Sequence, residues 1–120
     1  MEAIETIQAN LPQFIGSQTL IPHFIGKNKI HLTEGADYIR NSCDSYWLFD
    51  IILSYQNDKR LLNQHFQVWR LSKFNDSGVV VCEDGNDNLL LKQVIEFTDF
   101  PLNSITFWLV QDVCMLPTEY

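Results

Sequence analysis

Residues 45–56 read SYWLFDIILSYQ, and their reading as a helix sets the fold class. Asp44 or Ser45 can cap its start, and it runs to about Gln56. At about 100° per residue, Tyr46, Ser54 and Asn57 fall within about 40° of Asp50. Cys43 joins them if the helix is continuous with the one before it. Trp47, Leu48, Phe49, Ile51, Ile52, Leu53 and Tyr55 cover the rest of the circle, so the helix is buried over most of its circumference and Asp50 lies on a narrow polar seam. Asp50 then has three readings: an exposed stripe, a buried carboxylate bonded to a Tyr, Arg or His, or part of a site. On the residues alone, the stripe is favoured.

Upstream, Ile4, Ile7 and Leu11 have helical spacing, and Pro12 and Gly16 end that pattern. TLIPHFI (19–25) and KIHLT (29–33) flank GKN as the arms of a hairpin, with Pro22 marking an edge strand. Thr33 caps a second helix, with Glu34 and Asp37 in its first turn and Arg40 further along, as the macrodipole favours. Downstream the texture is that of strands: 66–74, 79–83, 89–97, 105–110 and 113–117, separated by short turns rich in Asn, Asp and Gly. The whole reads as one α+β domain over residues 1–120. An antiparallel β-meander of four to five strands carries the helices of the N-terminal half on one face.

Composition narrows the class. The chain has 120 residues with 46% hydrophobic and 19% charged, a globular balance. Its net charge of −7 argues against direct binding to a phosphate backbone, since that affinity comes from Lys and Arg. Three cysteines, Cys43, Cys82 and Cys114, form no CxxC pair and read as buried thiols in a reducing cytosol. The N-terminus carries acids where a secretion signal has bases, and the longest apolar run, 46–53, is too short to span a bilayer. The expectation is a cytoplasmic protein with no membrane association.

Chemistry-bearing patterns are sparse. If the hairpin loop is the three residues 26–28, His23 stands opposite His31; with two or four residues, His31 pairs with Phe24 and the rings face apart. No third ligand is evident, so no metal is expected. Asp84, Asn86 and Asn88 match positions 1, 3 and 5 of a calcium loop, but Leu89 replaces its glycine and Ile95 its final glutamate. Phosphate loops, GxSxG and HExxH are absent. Cys43, His31 and Asp50 form a nucleophile–base–orienter triple only in the sense that many triples do. No cofactor is implied.

Both faces of FQVWRLSKF and ITFWLV carry large apolar groups. One face meets the helices. The other needs cover from the N-terminal segment and first hairpin, or from a second subunit, at even odds.

The ordered set LPQFIGSQTL, HLTEGADYIRNSCDSYWLFDIILSYQ, FQVWRLSKF, VCEDGNDN, FTDFPLNSITFWL and MLPTEY resembles a family of small bacterial proteins, common in cyanobacteria, known as a domain of unknown function. The resemblance covers nearly the whole chain. Its most specific elements are TEG (33–35), Tyr46-Trp47-Leu48 with Asp50 and Gln56 following, FQVW, and the terminal LPTEY. Cys43-Asp44-Ser45 stands where that family usually has small residues. The family implies no activity or cofactor. Membership in the motif raises Asp50 to even odds between a structural role and a site, with an internal bond slightly preferred.

Two functional readings follow. The first is a protein-interaction module, not an enzyme, phage- or plasmid-associated, meeting an unknown protein or itself through its aromatic sheet face or acidic surface. The second is a small-ligand binder or enzyme with a pocket between the 33–56 helices and the sheet, walled by Tyr46, Trp47, Asp50, Glu34 and His31.

Overall fold

Turn chemistry and alternation build the second half of the chain. In a computed structural model that describes residues 2–16 and 19–120, Phe66–Phe74 (β3), Ser77–Glu83 (β4) and Leu89–Ile95 (β5) form an antiparallel meander. Asn75, at φ 56°, supplies the left-handed residue of the β3–β4 turn. Ser104–Val110 (β6) and Val113–Met115 (β7) form a hairpin closed by Gln111 and Asp112, at φ 46° and 68°. Ile21–Ile25 (β1) and Asn28–Leu32 (β2) form the first hairpin. The helices are Ile4–Asn10 (α1), Glu34–Ser42 (α2) and Tyr46–Ser54 (α3), the last continued by a 3₁₀ turn over Tyr55–Asn57.

These strands make one mixed sheet of seven in the order β1-β2-β7-β6-β3-β4-β5. The expected meander of four to five antiparallel strands is therefore corrected in two places. First, β6 does not continue the meander beyond β5; it returns across β4 to the free side of β3, pairing Trp69 with Phe107. The connection reads as a turn, yet Phe100 and Leu102 within it are buried, and burying them draws the chain across the sheet. Second, the β1–β2 hairpin extends the sheet instead of covering it. β2 runs parallel to β7, and His31 N and Thr33 N donate to the carbonyls of Asp112 and Cys114 at 2.8 and 3.0 Å. Pro22 does lie on an edge strand, as a residue without a backbone N–H should. The hairpin loop is Gly26–Lys27, so Ile25 pairs with Asn28, His23 opposes Ile30, and His31 opposes Pro22 rather than Phe24 or His23.

The α2 and α3 helices pack on one face of this sheet. Inward-pointing Gln67, Trp69 and Leu71 of β3 and Ile105, Phe107 and Leu109 of β6 meet them. Phe49 of α3 sets its ring 5.1 Å from that of Phe107 at 61°, the edge-on geometry that ring quadrupoles favour. Thr33 caps α2 as expected, its hydroxyl accepting from Ala36 N at 3.3 Å. Ser45 takes the N-cap position of α3, but its hydroxyl donates to Ile39 O instead, binding the two helices at their junction.

The C-terminus locks onto the start of α2. Glu119 is buried, and its carboxylate accepts from Thr33 Oγ1 at 2.6 Å, Gly35 N at 3.0 Å and Leu116 N at 3.0 Å. A carboxylate at a helix N-terminus meets both unsatisfied N–H groups and the positive end of the dipole. The TEG and LPTEY segments, 84 residues apart between Gly35 and Glu119, are thus two halves of one contact. Gly35 is required there because a Cβ would collide with the Glu119 carboxylate and come within 2.7 Å of Leu116 Cδ1.

Candidate functional site

Asp50 lies at the end of a chain of polar side chains that crosses three elements. Arg40 Nη2 donates to Asp37 Oδ1, and Arg40 Nη1 donates to Nδ1 of His23, both at 2.8 Å. A guanidinium only donates, so Nδ1 accepts and the ring proton sits on Nε2. Nε2 then donates to Asp50 Oδ1 at 2.7 Å. His23 is 3% exposed and Arg40 7%, whereas half of the Asp50 side chain reaches solvent. The Arg40 guanidinium also lies 4.5 Å from the centre of the Tyr46 ring. The chain fastens edge strand β1 to α2 and α3, and it engages both ring nitrogens of His23.

The other sequence candidates distribute around it. Tyr46 joins Asp50 at this cluster, and its hydroxyl donates to Asn41 Oδ1 at 3.0 Å. Trp47 is half-buried against the core. Glu34 is exposed in the first turn of α2, about 9 Å of helix rise from Arg40. His31 points to the sheet face opposite that of His23, beside Val113. No three His, Cys, Asp or Glu among the described residues gather as a metal would need. Asp84 accepts from Asn86 N and Asn88 N at 2.8 and 3.2 Å, closing the 84–88 turn on itself. Those bonds and one from the Asn88 side chain hold its carboxyl below the usual range, the side-chain bond most of all.

A second locus lies where α3 ends. The end of α3 and its following turn, the 61–67 segment, the β6–β7 turn and the first residues of β2 enclose a cleft of about 530 Å³, within the range of small-molecule sites. Its floor is a reciprocal amide pair: Gln56 Nε2 donates to Gln67 Oε1 at 3.0 Å, and Gln67 Nε2 donates to Gln56 Oε1 at 2.9 Å. Trp69 Nε1 adds a bond to Gln67 Oε1 at 2.8 Å. Gln67 is 2% exposed, so these bonds offset the cost of burying its amide. The cleft lies between the 33–56 segment and the sheet but does not include Asp50. Its signal in the sequence was Gln67, a polar residue in phase with Trp69 and Leu71 on the inward face of a strand.

The third feature is the sheet face away from the helices. Phe66, Trp108 and Tyr120 cluster on it, with Trp108 5.3 Å from both other rings. Val68, Val79, Val81, Val94 and Val110 extend it. Helix α1 lies on α2 instead of covering this face: Asn10 Nδ2 donates to Tyr38 Oη at 3.0 Å, and just before α1 Glu2 N donates to Ser42 O at 3.1 Å. No helix of the described residues is long and apolar enough to cross a membrane.

Over residues 5–120 the chain matches a family of unknown function (DUF6876), and it belongs to that family. No curated protein and no solved structure matches it.

Proposed function

We propose that this member of a family of unknown function is an interaction protein that works through its sheet, with a second copy of itself as partner. The observation that carries the reading is the free edge strand β5. Sheet edges are usually blunted by proline, by charged side chains, by bulges or by cover. On β1 Pro22 does this, but β5 has seven residues with no proline, with Lys92 as its one charge and one register shift at its start, and among the described residues its backbone pairs only with β4. Leu89, Val94 and Phe97 beside that edge are 59%, 62% and 72% exposed.

The charges on this edge are self-complementary. Lys92 and Glu96 are exposed and make no ion pair among the described residues. A two-fold axis through Val94 sets Lys92 of each copy opposite Glu96 of the other, and Leu91 opposite Phe97. A two-fold through Lys92 would set like charges together, so the charges select one register. The open face next to this edge has Arg70 and Lys92 balanced by Glu83 and the adjoining Glu96. The net charge of −7 therefore does not concentrate repulsion there.

Sedimentation over a micromolar concentration series tests this. The expected result is a monomer–dimer equilibrium, weakened about tenfold by Lys92→Glu and by Glu96→Lys and restored by the two together. A monomer at every concentration, or failure of the charge-swapped double variant to recover, overturns it. A second reading, a small-ligand binder, is favoured by one observation, the cleft at the end of α3.

A further inference from the structure

We infer that the cleft at the end of α3 binds an uncharged polyol, a sugar or an open-chain sugar alcohol, through its hydroxyl groups. The inference rests on the small-ligand reading of this cleft and is independent of the β5 contact.

The cleft is polar from floor to mouth. Its floor amides, Gln56 and Gln67, are satisfied by each other, by Trp69 and by the carbonyls of Ile52 and Gln64, so they form a fixed platform. Around this platform stand the side-chain amides of Asn28, Asn57, Gln64 and Gln111, with the Asp112 carboxylate and the His65 imidazole. Among the described residues, none of these six side chains bonds to another group of the chain. Backbone bonds hold their segments together: Gln111 N donates to His65 O at 3.2 Å, and His31 N donates to Asp112 O at 2.8 Å. Side chains alternate along a strand, so Asn28 shares the phase of buried Ile30, on the face that meets the helices. Lys29 takes the opposite phase and brings no cation to the cleft.

The lining selects the ligand class. Each free amide offers donors and an acceptor, and a hydroxyl also does both, so the two can pair in either sense. Asp112 is the one carboxylate of the lining, and its two oxygens can accept from neighbouring hydroxyls of one ligand, in charge-assisted bonds. An anionic ligand finds no arginine, a lysine turned away, and the carboxyl end of α3, whose dipole repels it. A nucleobase or an aliphatic ligand needs apolar surface for its faces. Leu53, Leu61 and Leu109 are buried, Trp69 lies beneath Gln67, and only Leu62 of the lining leucines is exposed. A polyol carries a hydroxyl on nearly every carbon. It therefore replaces the waters on the free amides bond for bond and leaves little apolar surface to cover.

The test is a titration of the full chain followed by NMR at the Trp69 indole N–H and the side-chain amides of Gln56 and Gln67. The probes are sorbitol, glucose, 1,6-hexanediol, adenine and inorganic phosphate. Sorbitol or glucose should shift these resonances saturably, and the stronger of the two tells whether the occupant is an open chain or a ring. The other three should bind at least about tenfold more weakly. Asp112→Asn and Asn57→Ala, both at exposed positions, should each weaken the better polyol about tenfold and leave the unliganded indole resonance in place. Lys29→Gln should leave its affinity unchanged. Tighter or equal binding of hexanediol, adenine or phosphate overturns the ligand class while keeping the cleft as a site. No saturable shift with any probe, or full affinity in both cleft variants, overturns the inference together with the small-ligand reading.

Discussion

At the scale of single residues, Asp50 shows how position and partner differ as kinds of information. Helical projection placed it on a polar edge, and half its side chain is indeed in solvent. Its partner, His23, arrives from a strand 27 positions earlier, and no local pattern links the two. Arg40, which fixes the tautomer of His23, looked in the sequence like a residue of the helix's later turns serving the macrodipole. The energetic weight falls on the buried members. Asp50→Asn keeps an oxygen to accept from Nε2 and should change stability by less than about 0.5 kcal/mol. Arg40→Met leaves Nδ1 of His23 without its donor and Asp37 without its cation, and should cost about 2 kcal/mol in urea unfolding. Nitrogen NMR should find the Nε2–H tautomer of His23 in the native protein, with Nδ1 unprotonated.

At the scale of elements, helix propensity and tertiary packing oppose each other at Gly35. Propensity alone makes Ala better than Gly by about 1 kcal/mol inside a helix. The added Cβ, however, meets the Glu119 carboxylate and Leu116. Displacing that carboxylate breaks three hydrogen bonds at once, so the steric term wins. Gly35→Ala should lower stability by about 2 kcal/mol, as should Glu119→Ala. The pair should be strongly non-additive, since removing the Glu119 side chain opens the space that the new methyl group needs. Fully additive losses in thermal melts would contradict this account. Thr33 as a cap and the acids of the first turn were legible in the sequence because capping is local. The Glu119 contact was not, because its two halves meet only after the sheet has formed.

At the scale of the whole molecule, the three thiols report how completely the core is closed. Cys43, Cys82 and Cys114 are all buried and free. Burial is the main cause that pushes Cys43 and Cys82 from 9.0 to about 12, with neighbouring Asp44 and Glu83 adding to it. Cys114 is pushed up further, by burial and then by Glu119. Native thiols thus stay protonated where those of the unfolded chain ionise. The unfolded state gives up protons above pH 9.0 and the native state only near 12, so the thiols add no pH dependence well below pH 9, and stability should fall as pH rises through that window. Iodoacetamide at pH 8 should leave all three unmodified until denaturant is added. Rapid alkylation of the native protein would show that the core opens.

The sequence by itself determined the elements: three helices, two hairpins, the central strands and their turns. These follow from periodicity, caps and turn residues, whose energies depend on neighbours a few positions away. Only the tertiary structure decided which strand lies beside which. The parallel pairing of β2 with β7, the return of β6 to β3, the free edge of β5 and the cleft all depend on contacts between residues far apart in the chain. Such contacts are selected by the total apolar area buried and the backbone groups satisfied, a sum that no short stretch of sequence contains.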